Sequence, residues 1–364
     1  MKQIFSMLIL ILFVTALLTA SGCRHKGGGS TNPTSTVAAG SGPVSVTADP
    51  SGKYVYVANI NDGTVSQYTI GATGALTSMA TPTVSAGTSP SCVTSDPSGK
   101  YVYVANRAFF GTISQYTIGA TGALSSMATP TVSANNWPIS VAVDPKGNYA
   151  YVANNGFSGT VSQYTIDASG TLTPMAAPTV PAGAYPSSVT VDPSGTHVYV
   201  ADSGDGTVWQ YTIGATGALT SMTTPTVPAG TSPNSVTVDP SGKYAYVANI
   251  GSDDVSQYTI GADGALTPMT PATVAAGTNP SSVTVDPSGA YVYVADSTTN
   301  GVAQYTIGVA GALTFMTPAS VSAGTNPWSV TIDPSGKYVY VANSYSNDVS
   351  QYTIGPTGAL TPIP

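Results

Sequence analysis

The chain has 364 residues, a formal net charge of −7, and 16 Asp but no Glu; only 7% of its residues are charged, against roughly 25% in ordinary soluble domains. Nucleic-acid binding needs clustered Lys and Arg, and beyond residue 26 the only cations are the dispersed Lys53, Lys100, Arg107, Lys146, Lys243 and Lys337, so that class is excluded. Two cysteines, Cys23 and Cys92, exclude a disulfide framework, and the 39 Gly and 28 Pro argue for short strands joined by tight turns.

The N-terminus reads as an export leader. Lys2 precedes an apolar run over residues 4–18, and Ala20-Ser21-Gly22-Cys23 follows, which is the layout of a secretory signal peptide. The run falls short of the roughly 20 residues that span a bilayer. A Cys directly after small residues resembles the lipobox of bacterial lipoproteins. That resemblance implies cleavage before Cys23, its acylation, and export to an anchored position in the cell envelope (periplasm or cell surface). Arg24 points to the outer membrane in a host with two membranes. Residues 24–35 have a tether-like composition. Three segments are therefore expected: a leader over 1–22, acylated Cys23 with a flexible tether over 23–35, and one folded domain over 36–364.

Internal repetition dominates that domain. Asp-Pro-x-Gly begins at Asp49, Asp96, Asp144, Asp192, Asp239, Asp286 and Asp333, at spacings of 47, 48, 48, 47, 47 and 47 residues. Each copy has four strand candidates: Ser-Val-Thr-Val before the Asp, a Tyr-Val-Tyr-Val-Ala-Asn run after it, a run ending Gln-Tyr-Thr-Ile, and a weak Thr-Val segment. Asp-Pro-Ser-Gly is turn chemistry, in which Pro presets φ, Gly takes a positive φ and the Asp carboxylate accepts turn amides. The Tyr-Val-Tyr-Val strand is apolar on both faces, so it is expected to be covered on both. Pro181 and Pro228 in the fourth strand assign that strand to an edge, because proline lacks a ladder N–H. Four strands per repeat predict an all-β fold: a seven-bladed β-propeller of four-stranded blades. The seventh copy stops at Pro364 without a fourth strand. Thr36-Val37-Ala38-Ala39-Gly40 repeats Thr273-Val274-Ala275-Ala276-Gly277, so the N-terminal strand is expected to complete the last blade and close the ring.

The Tyr-Val-Ala-Asn runs after Asp-Pro-Ser-Gly resemble the YVTN repeats of bacterial and archaeal surface proteins. Over residues 36–364 the chain is similar to the seven-bladed lactonase-like propellers, which include 6-phosphogluconolactonase. The resemblance implies the propeller fold and, as one alternative, a lactonase-type hydrolase.

The residue types point elsewhere. Hydrolysis of a phosphosugar lactone calls for a base and for cations on the phosphate, whereas the domain has one Arg (Arg107), one His (His197) and no Glu. His197 takes the place of Tyr54, Tyr101 and Tyr244 and reads as a packed strand residue. Cys92 stands where other copies have Ser and reads as a small buried side chain, and Trp209 replaces a strand-three Ser and reads as packing. No catalytic residue, metal site or cofactor is assigned, because Asn61-Asp62-Gly63, Asp202 with Asp205, and Asp253-Asp254 lack the spacing of a complete calcium loop. Loops between strands two and three, and loops entering strand one, vary among copies and emerge on one face. Blades two to four place Arg107, Phe109, Phe110, Trp137, Phe157 and Tyr185 there, a composition typical of recognition surfaces. The expected function is thus a non-catalytic module binding a protein or glycan, membrane-held through Cys23, with the hydrolase and a purely structural envelope protein as alternatives. Oligomeric state is left open.

Overall fold

The computed structural model describes residues 35–364, so the leader, Cys23 and nearly all of the tether lie outside the described residues. Seven antiparallel sheets follow one another along the chain. In blade 1 the inner strand is Pro43–Ala48, the second Tyr54–Asn59, the third Thr64–Ile70 and the outer one Leu76–Ser85. Both faces of the second strand are covered, with Val55, Tyr56, Val57 and Ala58 fully buried. The reason is face-to-face packing of adjacent sheets. Tyr56, Ala58 and Val65 of blade 1, for instance, pack with Val93, Val102, Val104, Tyr116 and Leu124 of blade 2.

Each repeated motif has a structural task. Asp49 Oδ1 accepts the Lys53 and Tyr54 amides at 2.9 and 2.8 Å, and its Oδ2 accepts that of Ser51 at 3.0 Å, so the Asp-Pro turns are built by their carboxylates. Gln67 sits at a register shift between Ser66 and Tyr68. Its Nε2 donates to Thr81 O at 2.9 Å, and its Oε1 accepts the Leu124 amide of the next blade at 2.7 Å. Tyr56 Oη donates to Gly122 O of the next blade at 2.7 Å. Gly122 has φ +84°, and a Cβ there would lie 2.2 Å from the Tyr54 ring, so both backbone and packing demand glycine.

The outer strand is largely exposed, as its prolines require. It is also longer than its sequence pattern indicates, running ten residues from Leu76. The Gly71–Ala75 turn is tight, with the Gly71 amide donating to Ala75 O at 2.9 Å, and pairing with the third strand resumes at once.

Ring closure uses a split strand. Thr36–Ala38 pairs with the third strand of blade 7 in the register Thr36↔Ser350, Val37↔Val349, Ala38↔Asp348. The seventh copy does have half an outer strand of its own: Leu360–Pro362 pairs with Ile354, Thr353 and Tyr352 of the same third strand. The two chain ends thus contribute the two halves that one continuous segment supplies in every other blade. The joint to blade 1 repeats the other joints, with Tyr340 Oη donating to Gly74 O at 2.8 Å. Val37 packs on the core shared by blades 7 and 1. Deleting residues 36–40 exposes that ladder edge and is expected to lower Tm by several degrees, roughly what 1–2 kcal/mol does to a domain of this size. An unchanged melting curve would refute this account of closure.

At the axis the seven inner strands line a cavity of about 190 Å³. Serine hydroxyls bridge neighbouring inner strands: Ser45 Oγ accepts the Val93 amide at 3.0 Å, and Ser329 Oγ accepts that of Val46 at 3.2 Å, closing the circle. Cys92 occupies one position of this ring, with its Sγ 3.9 Å from Val141 O. Burial pushes its thiol up, which fits packing rather than reactivity.

Candidate functional site

The connections that join strands two and three, and those that lead into each inner strand, emerge on one face. On the opposite face lie the Asp-Pro turns and the Gly-Ala-Thr-Gly turns. The residue just before each inner-strand proline has a left-handed backbone. Gly42, Ser89, Ser232, Asn279 and Asn326 fill this position in five blades, with φ between 51° and 66°. In blades 3 and 4 it is Trp137 (φ 53°) and Tyr185 (φ 62°). Gly and Asn tolerate this region, whereas Ser and a bulky aromatic adopt it at a cost of order 1 kcal/mol. Neighbouring loops hold the strain in place. The Trp137 amide donates to Ala108 O at 2.7 Å, its carbonyl accepts the Asn155 amide at 2.9 Å, and the Tyr185 amide donates to Gly156 O at 2.8 Å.

These two aromatics bound a pocket of about 380 Å³ with Ile60, Ser89, Arg107 and Asn155. Arg107 Nη2 donates to Asn155 Oδ1 at 3.3 Å, and Asn155 Nδ2 donates to Pro186 O at 3.0 Å, so the amide is anchored before it orients the guanidinium. Among the described residues the one ion pair is His197–Asp192, and Arg107 therefore faces the pocket without a carboxylate partner.

Of the residues expected from sequence, the pocket brings together Arg107, Trp137 and Tyr185. Phe109 stands beside it, its ring centroid 5.6 Å from that of Trp137 and 4.9 Å from that of Phe110, both edge-on. Phe157 lies edge-on to Tyr185 at 6.1 Å. None of the three phenylalanines lines the pocket. They are 53%, 83% and 76% exposed in chain order, which excludes packing between blades as their role. Sequence reasoning missed Ile60, Ser89 and Asn155. One available signal was the two 48-residue spacings, which come from one extra residue in each of the Arg107–Gly111 and Asn155–Gly159 loops.

His197 lies on the opposite face. Its ring lies against Gly264 as that of Tyr54 lies against Gly122, so that a Cβ on Gly264 would be 2.3 Å away, and its Nδ1 is 3.4 Å from Asp192 Oδ2. Burial pushes the Asp192 carboxyl up, but hydrogen bonds from His197, Ser194 and the His197 and Thr196 amides outweigh it and hold the group well below the usual carboxylate range. The pair is structural. Trp209 packs on the core between blades 3 and 4. Among the described residues no three His, Cys, Asp or Glu side chains are grouped to hold a metal ion.

Comparison with known proteins adds a family. A family model described as "Lactonase, 7-bladed beta-propeller" matches residues 71–364. No curated protein matches the chain. Among solved structures it is similar to a periplasmic gluconolactonase of Pseudomonas aeruginosa (20% identity, 85% of this chain and 94% of that chain covered, TM-score 0.74). A protein from Lactobacillus plantarum is similar too (20% identity, 86% and 95% covered, TM-score 0.73), as is the hydrazine synthase of Kuenenia stuttgartiensis (19% identity, 90% and 99% covered, TM-score 0.67). At these identities the structures attest the fold alone. The family match overturns the expectation of a non-catalytic binding module. That expectation rested on the scarcity of bases and of cations suited to a phosphosugar lactone, and a lactone without a phosphate makes no demand for those cations. By a match that covers most of its length, the chain belongs to the seven-bladed β-propeller lactonase family.

Proposed function

We propose that this protein is a lactonase-type hydrolase whose site is the pocket bounded by Arg107, Trp137, Asn155 and Tyr185. The family match over residues 71–364 carries the proposal, and a guanidinium without an ion-pair partner among the described residues supports this choice of site. In lactone hydrolysis water adds to the ring carbonyl, negative charge gathers on the carbonyl oxygen, and the ring C–O bond then breaks to a hydroxy acid. Arg107 is the group to bind that developing oxyanion, and Asn155 positions it. Fixed donors aimed at a developing oxyanion are worth about 10²–10³ in rate. The lining contains neither a carboxylate nor an imidazole, so solvent takes the proton of the attacking water. Such a site suits a lactone already prone to hydrolysis. The test is titration of acid released from δ-lactones by the full chain against a protein-free control; rates equal to the control for every lactone tried would sink the reading.

Export and anchoring complete the proposal, supported by the leader layout of residues 1–22 and the small residues before Cys23. The solved gluconolactonase to which the chain is similar is itself described as periplasmic. Labelled palmitate fed to cells making the protein is expected to be incorporated, and Cys23→Ser is expected to abolish it. Equal labelling of both forms would refute the anchor.

A further inference from the structure

We infer that the lactone accepted by this pocket is uncharged and carries an apolar arm that lies on the aromatic side chains outside it. The inference rests on the hydrolase reading above and adds a substrate class to it.

Charge placement is the first argument. Lys53, Lys100, Lys146, Lys243 and Lys337 all follow Asp-Pro in the turns of the opposite face. Among the described residues Arg107 is thus the only Lys or Arg on the pocket face, which also carries Asp62, Asp205 and Asp253 in its loops and Asp254 and Asp348 at the starts of third strands. A phosphate dianion would meet one cation there amid several carboxylates. The single guanidinium, already given to the carbonyl, leaves nothing to hold a second charge.

Hydrogen-bonding capacity is the second. A polyhydroxylated ring needs many partners, and unmet ones are costly. Besides Arg107, the polar side-chain groups of the lining are those of Ser89 and Asn155 and, at the ring edges, the Tyr185 hydroxyl and the Trp137 indole N–H, and Asn155 already gives one Nδ2 hydrogen to Pro186 O and accepts from Arg107 at Oδ1. What remains is mainly apolar: Ile60 and the faces of Trp137 and Tyr185.

The third is the path leading out. Trp137 reaches from the pocket to Phe109, and Phe109 to Phe110, in successive edge-on contacts of 5.6 and 4.9 Å. Phe110 is 83% exposed. Solvent-exposed phenylalanines in adjoining contact with the strained Trp137 have no partner within the described fold. An alkyl or aryl arm on the lactone ring would cover them as the carbonyl reached Arg107.

The experiment compares δ-decalactone, whose ring bears a pentyl arm, with the unsubstituted δ-valerolactone and with 6-phosphogluconolactone, using the full chain. The expected kcat/KM for δ-decalactone exceeds that for δ-valerolactone about tenfold or more, the Trp137–Phe109–Phe110 row being an open surface rather than a sealed pocket. In Phe109→Ser/Phe110→Ser the ratio is expected to fall toward one, with Tm retained. A ratio near one in the native chain, or a preference for the phosphorylated lactone, overturns the inference and leaves the hydrolase reading standing. If no lactone is hydrolysed, the hydrolase reading fails, and calorimetric titration decides the inference separately. Tighter binding of δ-decalactone than δ-valerolactone, lost in the double variant, upholds arm recognition. Equal or absent binding overturns it.

Discussion

Arg107→Ala is expected to lower kcat for lactone hydrolysis by about 10²–10³, the usual loss on removing a donor aimed at a developing oxyanion. The effect should fall on kcat more than on KM, because the contact strengthens as charge develops. Arg107→Lys should restore part of the rate, since it keeps the charge but loses the planar fork that Asn155 orients at 3.3 Å. The side chain is on a loop and has no ion-pair partner among the described residues, so Tm should stay within a degree or two. An unchanged kcat/KM in Arg107→Ala, with the native chain active, would remove this arginine from the reaction.

The second large effect is on stability against pH, and for two buried aspartates its sign is opposite to that of an ion-paired carboxylate. The second strand ends in a fully or almost fully buried Asn in five blades, and in Asp202 and Asp296 in blades 4 and 6. Where it is Asn, the side-chain Nδ2 has built partners: that of Asn59 donates to Thr64 Oγ1 at 3.0 Å and Ser66 Oγ at 2.9 Å. In blade 6 those two places are Gly301 and Ala303. Burial pushes the Asp296 carboxyl up to about 7, against the lowering by the Gly277 and Ala303 amides. Burial likewise pushes Asp202 up to about 6. The folded state therefore holds protons that the unfolded chain releases near pH 4. Between about pH 4 and 7 the native form carries more protons, so raising the pH through that window removes stability. For Asp296 the full loss is on the order of 4 kcal/mol. Asp296→Asn/Ala303→Ser rebuilds the arrangement of Asn59 and Ser66. It is expected to raise Tm at pH 8 by several degrees and to flatten the decline between pH 5 and 8. A variant whose Tm falls with pH as steeply as the native chain would show that Asp296 is not the group responsible.

The repeat carried nearly all of the fold on its face. Period, four strands per copy, buried Tyr-Val-Tyr-Val and edge prolines are local consequences of chain chemistry, and the match of Thr36–Gly40 to Thr273–Gly277 exposed the closure. What local pattern missed was the ten-residue outer strand, because its exposed, proline-broken half has no hydrophobic period to read. The same blindness hid the half-strand Leu360–Pro362.

For the site, sequence determined which face varies and which residues stand out on it: Arg107, Trp137 and Tyr185 do meet in one pocket. Only the tertiary structure decided that Phe109, Phe110 and Phe157 lie outside it, that Asn155 orients the arginine, and that His197 serves the opposite face. Those outcomes depend on residues about 48 positions apart meeting across blade joints, and on a left-handed backbone at Trp137 and Tyr185 that aims their rings. Residue type sets what a side chain is able to do. Its neighbours, brought in by closing the ring, set what it does.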